Sequence, residues 1–140
     1  RMKCDKSMSL LIADYVNGSF YISGQHEQVI IVRNDGELEE IDTIDLGFPI
    51  GLDADISDFI SAQKVELNSG DMMVLYTDGI TEAENINKQF YGLERLINLV
   101  QKNHHKSAQE IRQTVIDDVI NYIGEQTVFD DITLLVIKKK

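Results

Sequence analysis

The 140 residues, 43% of them hydrophobic, are the size of one globular domain with a substantial core, and no run approaches the roughly 18–20 apolar residues of a membrane-spanning helix. Twenty-four acidic side chains against 13 basic ones give a net charge of −11, which repels phosphate backbones and removes the counterion-release drive toward DNA or RNA. The single Cys4 excludes an intrachain disulfide and Arg1 to Ser7 carry no signal-peptide core, so a cytoplasmic protein without membrane insertion is expected.

One proline, nine glycines and no repeat or low-complexity run leave no obvious linker, so residues 1–140 read as a single domain. The first half reads as a meander of strands. Met8 to Val16 is apolar-rich, Asn17-Gly18 is a two-residue hairpin signal, and Ser19 to Ser23 returns the chain. Gln28 to Arg33 and Glu37 to Ile44 flank a turn at Asn34-Asp35-Gly36, and their short connection predicts antiparallel pairing. Asp45 to Asp58 reads as irregular, and Phe59 to Leu67 as a further strand before the turn Asn68-Ser69-Gly70. The nine acidic residues between Asn34 and Gln63, with no Lys or Arg among them, read as a solvated surface.

The second half is more regular. Met72 to Tyr76 is a continuous apolar run that ends in Thr77-Asp78-Gly79, a buried strand with a carboxylate at its tip. Leu93, Leu96, Ile97 and Val100 recur at helical spacing, as do Ile111, Val115, Val119, Ile120 and Ile123. Ser107 and Glu110 have capping-box spacing, and Gly124 suits the position just past the helix end. Asp130-Asp131 then precedes the apolar strand Ile132 to Ile137. Strands apolar on successive residues need both faces covered, and two helices cover only one. The expectation is an α/β sandwich built on antiparallel sheets, its second sheet folded from the meander or supplied by further chain.

Antiparallel pairing of the strands around Met73 and Leu135 would bring Asp78, at the exit of one, beside Asp130-Asp131, at the entrance of the other. Hard carboxylate oxygens suit Mg²⁺ or Mn²⁺, and no His/Cys set has zinc spacing. Gly79 lets the backbone turn sharply and approach an ion. The same residues also fit an ordinary turn and an ordinary loop.

Gly70-Asp71, the run Val74-Leu75-Tyr76-Thr77-Asp78-Gly79-Ile80-Thr81-Glu82-Ala83, Phe90-Tyr91-Gly92-Leu93-Glu94-Arg95-Leu96, and Phe129-Asp130-Asp131-Ile132-Thr133-Leu134-Leu135-Val136 resemble, in order, the closing motifs of the bacterial SpoIIE-type phosphatases related to protein phosphatase 2C. Ser23-Gly24-Gln25-His26 resembles the family's Ala-Gly-His turn, and Leu46 to Leu52 its Gly-x-Pro-Leu-Gly segment. The resemblance implies an α+β fold, an antiparallel sheet sandwich flanked by helices in an α-β-β-α arrangement. It also implies hydrolysis of phosphoserine or phosphothreonine on a partner signalling protein by a water activated between two Mn²⁺ or Mg²⁺ ions, with no phosphoenzyme and no catalytic side chain beyond the metal ligands.

By family position Asp78 and Asp130 carry over as metal ligands, with Gly79, Asp131 and His26 as secondary candidates. In such families the substrate is often an anti-anti-sigma-factor-like protein, and a sensor or receiver domain commonly lies upstream. The family's N-terminal half, with its Gly-Asp strand and the Asp-Gly pair that bridges both ions, has no counterpart here. The chain is therefore expected to be the C-terminal portion of such a domain, incomplete at its N-terminus and holding part of the ligand set.

Alternatives divide on the same residues. A truncated phosphatase fold could bind a phosphoprotein without hydrolysing it, whereas a phospho-accepting receiver domain is disfavoured because its acidic pair would stand near the start of alternating parallel strands and helices. His26 is expected to serve more as a structural hydrogen-bonding residue than in catalysis. His104-His105 reads as a solvated loop, Glu82 and Glu84 as solvent-facing by default, and Lys138 to Lys140 as a strand end in water. Asp53 to Asp58 fails as a calcium loop, since Asp58 stands where glycine is needed and Lys64 where a bidentate glutamate is needed.

Overall fold

The computed structural model describes residues 8–47, 55, 61–128 and 130–140. The elements run β1 (Ile12–Val16), β2 (Ser19–Ser23), β3 (Val29–Val32), β4 (Leu38–Ile41), β5 (Ala62–Val65), β6 (Met72–Tyr76), α1 (Asp78–Thr81), α2 (Leu93–Lys102), α3 (Ala108–Ile123) and β7 (Leu134–Lys138). They fall into two compact units, one drawn from Arg1–Gln28 and Asp42–Glu66, the other from Val29–Ile41 and Leu67–Lys140.

The first unit is a three-stranded antiparallel sheet in the order β1-β2-β5. Asn17 and Gly18, at φ of 51° and 84°, supply the two left-handed residues that a tight hairpin of matching twist requires, and Val16 pairs with Ser19 across them. The apolar stretch from Met8 becomes strand only from Ile12, because β2 ends at Ser23, the partner of Ile12. For the same reason the expected strand Phe59 to Leu67 is β-structure at Ala62–Val65, the residues that face Phe20 to Ser23; Phe59 lies outside the described residues.

The second unit is a four-stranded antiparallel sheet, order β4-β3-β6-β7, with α2 and α3 packed on one face. β3 has four residues, so only Leu38–Ile41 of the longer segment Glu37 to Ile44 pairs with it. Period two sorts the strands. Ile30, Val32, Met72, Val74 and Tyr76 join the cluster under the helices, while Val29, Ile31 and Met73, on the alternate side, are equally buried.

Leu96, Ile97 and Val100 of α2 and Ile111, Val115, Val119 and Ile123 of α3 complete that cluster, each fully buried aliphatic side chain contributing roughly 1.5–3 kcal/mol. Ile120 differs from the expected pattern: the stripe Val115–Val119–Ile123 turns it outward, and it is exposed. Ser107 caps α3 as the spacing predicts. Its Oγ accepts from Glu110 N–H and its own N–H donates to Glu110 Oε2, both at 3.2 Å, an arrangement worth about 1 kcal/mol.

Lys138 and His104 also differ from expectation, whereas His105, Lys139 and Lys140 are exposed as read. Lys138 belongs to β7, and its Nζ donates to the carbonyls of His104 and Lys106 at 2.5 and 2.7 Å, closing off orphan carbonyls after α2. His104 is half-buried, its Nδ1 2.8 Å from the Gln101 carbonyl and its ring against Gly36.

Candidate metal centre

The last pair of the β6–β7 ladder is Tyr76 with Leu134, and the stitching continues beyond it. Thr77 N–H donates to the Thr133 carbonyl at 3.2 Å, Thr133 N–H to Thr77 Oγ1 at 3.3 Å, and that hydroxyl to the Asp131 carbonyl at 3.4 Å. The segments bearing Asp78 and Asp130-Asp131 therefore lie side by side at one sheet edge.

Thr77-Asp78-Gly79, expected as a turn, instead opens the single helical turn α1. Ile80 N–H reaches the Thr77 carbonyl at 3.1 Å and Glu82 N–H the Asp78 carbonyl at 2.8 Å, while fully buried Ile80 anchors the turn in the core. Gly79 is required sterically: a Cβ there would stand 2.0 Å from the Asp131 carbonyl oxygen.

Asp78 and Asp130 line one cleft of about 150 Å³ together with Gly79, Glu82, Glu84 and Phe90. Asp78 is half-buried and Asp130 exposed. Asp130 Oδ1 accepts from Asp131 N–H at 2.7 Å, which orients that carboxylate. Asp131 takes part through its main chain, donating to Asp130 and accepting from Thr77, and is absent from the cleft wall. Glu82 and Glu84 both border the cleft, Glu82 exposed to solvent and Glu84 half-buried.

Among the described residues no three or more His, Cys, Asp or Glu side chains converge tightly enough to hold an ion by themselves. The ionisable side chains that line the cleft nonetheless all carry hard carboxylate oxygens. They fit Mg²⁺ or Mn²⁺ in kind, since such ions are commonly held by one or two carboxylates with water completing the octahedron.

His26 belongs to the other unit. Its N–H donates to Thr43 Oγ1 at 2.9 Å and its carbonyl accepts from the same hydroxyl, so its turn is fixed through the backbone. Gly24 in that turn has φ of +95°, and a Cβ on it would strike the Leu10 carbonyl. Of the segment Leu46 to Leu52, residues 48–52 lie outside the described residues, as do Phe129 and most of Asp53 to Asp58.

The sequence reading missed a cluster that holds the loop after α1. Arg95 grips Asp118 with two bonds, Nε to Oδ2 at 3.0 Å and Nη2 to Oδ1 at 3.1 Å, and Tyr91 Oη donates to Asp118 Oδ2 at 2.6 Å. The Arg95 guanidinium lies over the rings of Tyr91 and Tyr122, 5.1 and 4.7 Å from their centroids. Tyr122 Oη in turn shares its proton between the carbonyls of Gln89 and Phe90 at 3.1 and 3.0 Å. The Arg95 bonds, aided by Tyr91, hold the Asp118 carboxyl below its usual range against burial. Burial and then the Asp118 carboxylate push the Tyr91 phenol up. No helical spacing in the sequence signals it, because Tyr91 lies before the start of α2 and its partnership with Arg95 and Asp118 is made only by the packing of α2 on α3.

Arg33, Asp71, Asn34 and Asn68 form a second polar knot. Burial alone would raise the Asp71 carboxyl, but Asn68 N–H, the Arg33 guanidinium and Asn34 N–H, at 2.8, 2.9 and 2.8 Å, outweigh it and hold the group below its usual range. No described helix is long and apolar enough to cross a membrane.

Solved structures share this architecture. The SiaA-PP2C domain of Pseudomonas aeruginosa superposes with a TM-score of 0.71 at 22% identity, over 88% of this chain and 47% of that one. The phosphatase domain of the cell fate determinant SpoIIE from Bacillus subtilis, presoaked with Mn, gives 0.64 at 16% identity, over 99% and 60%. The fold is thus that of PP2C-type phosphatase domains, as the antiparallel sheets and flanking helices lead one to expect.

Within that class the chain belongs to the Stage II sporulation protein E (SpoIIE) family, whose pattern matches residues 3–140. It is 29% identical over 127 residues to Protein IcfG of Synechocystis sp., covering 90% of this chain and 19% of that protein. It is also 29% identical over 121 residues to Phosphoserine phosphatase RsbU of Bacillus subtilis, covering 86% and 34%. The chain therefore spans at most about a third of the length of these two relatives.

Proposed function

We propose that residues 1–140 form the C-terminal portion of a SpoIIE-type phosphatase domain, and that the full-length protein hydrolyses phosphoserine or phosphothreonine on a partner signalling protein in the cytoplasm. The observation that supports this reading most is that Asp78, just past the C-terminal end of β6, and Asp130, just before the N-terminal end of β7, border one carboxylate-lined cleft. The name of its relative RsbU, a phosphoserine phosphatase, points the same way.

Asp78 and Asp130 would hold a divalent cation, Mn²⁺ or Mg²⁺. Gly79 permits the close approach of α1 to the Asp131 carbonyl, which sets the separation of the two carboxylates. The Asp131 N–H fixes one oxygen of Asp130 and leaves the other to face the cleft as a ligand. Once bound, two such ions supply a water of lowered pKa and neutralise charge on the phosphoryl group. His26 serves this scheme as a turn residue. An anti-anti-sigma-factor-like phosphoprotein is the proposed substrate, and an upstream sensor or receiver domain the proposed regulator.

The test is hydrolysis of p-nitrophenyl phosphate and of a phosphoserine protein by the full-length protein, with EDTA and across a Mn²⁺ series. Turnover should require Mn²⁺ or Mg²⁺. Robust turnover in EDTA would overturn the metal mechanism, and phosphoprotein binding with no turnover at saturating Mn²⁺ would favour a non-catalytic binding module.

A further inference from the structure

Two large apolar side chains stand in the wall of the Asp78–Asp130 cleft with most of their surface in water: Phe90 is 58% exposed and Val128 57%. Neither belongs to the helix–sheet core or to the partly buried residues packed on it. An aromatic ring held in water on the rim of a cleft has apolar surface available for a ligand.

Phe90 is also held in place. Its backbone bridges to Glu84, the following Tyr91 N–H donates to the Ala83 carbonyl at 2.7 Å, and Tyr122 Oη lies 3.0 Å from its own carbonyl. The preceding turn is locked by Asn85, whose Oδ1 accepts from the N–H groups of Asn87 and Gln89, both at 3.0 Å. A ring on so fixed a backbone loses little freedom on binding.

The charges of the cleft select the occupant. Its ionisable lining residues are Asp78, Glu82, Glu84 and Asp130, with no Lys or Arg among the described residues of its wall. Asp78 and Asp130 are committed to the proposed cations, so Glu82 and Glu84 are the charges left to meet the peptide; they disfavour acidic flanks, and no described Lys or Arg side chain of this wall reads charge on it. Beyond this charge selection, apolar contact is a further means of discrimination that this wall offers.

We propose that Phe90 and Val128 form an apolar lip that determines substrate specificity. They receive a large apolar side chain next to the phosphorylated serine or threonine of a protein segment without acidic flanks. This inference rests on the phosphatase reading above.

Phosphoserine decapeptides carrying a single Leu, Ser or Glu at each position within two residues of the phosphoserine test it, assayed with the full-length protein and with Phe90→Ala, Phe90→Leu and Val128→Ser. At one position Leu should exceed Ser by about tenfold in kcat/KM, as an apolar contact of this size provides. Glu should fall below Ser. Phe90→Ala and Val128→Ser should each bring the Leu/Ser ratio toward one, whatever they do to absolute rates, and Phe90→Leu should restore most of it. A ratio near one at every position in the unaltered protein, or a ratio unchanged by Phe90→Ala, overturns the lip. Fluorescence anisotropy of the same labelled peptides reads the same ratio without turnover. A protein that hydrolyses nothing but keeps a Phe90-dependent Leu preference in binding would refute the phosphatase reading and leave the lip standing.

Discussion

The Cβ that Gly79 lacks would lie 2.0 Å from the carbonyl oxygen of Asp131, so the smallest side chain in the chain sits where the two carboxylate-bearing segments come closest. The obstacle is backbone on both sides and cannot rotate away. Gly79→Ala must therefore push α1 off the entrance to β7. Overpacking of this kind costs about 1–3 kcal/mol, and the shift would spread Asp78 from Asp130. Thermal unfolding should show the loss, and the Mn²⁺ concentration for half-maximal activity should rise. A fully stable Gly79→Ala protein with unchanged Mn²⁺ dependence would mean that the two segments are not held at this separation.

Asp78→Asn and Asp130→Asn preserve size and remove charge, so each should lower phosphatase turnover by roughly 10²–10³-fold with little change in stability. Asp130→Asn keeps an oxygen to accept from Asp131 N–H, so the bend survives. Asp131→Asn is the control. The bonds of Asp131 run through its main chain, so the change should stay within about 0.5 kcal/mol in stability and leave Mn²⁺ activation intact. A Mn²⁺ titration of activity for the three variants decides the ranking, and stronger impairment in Asp131→Asn than in Asp130→Asn would reverse the assignment.

Much of this was legible in the sequence where two local signals agreed. Met72 to Tyr76 lies between Asn68-Ser69-Gly70 and Asp78-Gly79, and it forms β6 with those bounds. Ser107 and Glu110 announce the start of α3. The adjacency of Asp78 and Asp130 followed from two apolar runs, one ending and one beginning with aspartate, that pair antiparallel. Strand ends were less legible, because β1 and β4 stop where their partners stop and not where their own propensity does. The turn α1 hides in a sequence that reads as a bend, since the burial of Ile80 decides it. The Arg95–Asp118 grip joins residues 23 apart, beyond the reach of helical periodicity.

Asp71 should make stability depend on acid. Its folded pKa is lowered relative to an unfolded value of about 3.9, so its contribution is fully present above that value and is lost as pH falls through the folded pKa. Asp71→Asn should cost about 2 kcal/mol at pH 7, where the charged bonds to Arg33 and to two N–H groups are weakened. The difference between the two proteins in urea unfolding should then shrink at pH 3 and below. A difference that is constant from pH 7 to pH 2 would show that the charge of Asp71 contributes nothing.

Tyr122 separates support of the cleft loop from support of the helix pair, because its ring and its hydroxyl serve different neighbours. The ring meets Tyr91 edge-on at 5.4 Å and carries the Arg95 guanidinium, while the hydroxyl donates to the carbonyls of Gln89 and Phe90, the former accepting also from Asn85 N–H at 3.0 Å. Tyr122→Phe keeps the first set and deletes the second, at about 1 kcal/mol. Its amide exchange should quicken at Gln89 and Tyr91, flanking Phe90, with α2 protected as before. Asp118→Asn should act more widely, because it weakens the two-bond grip on Arg95 and the acceptor of Tyr91 Oη together. Exchange should then quicken in the first turn of α2 as well as in the loop. Hydrogen exchange by mass spectrometry or NMR compares the two proteins directly. If Tyr122→Phe loosened α2 as much as Asp118→Asn does, the loop and the helix pair would be one unit, and the hydroxyl would not hold the loop on its own.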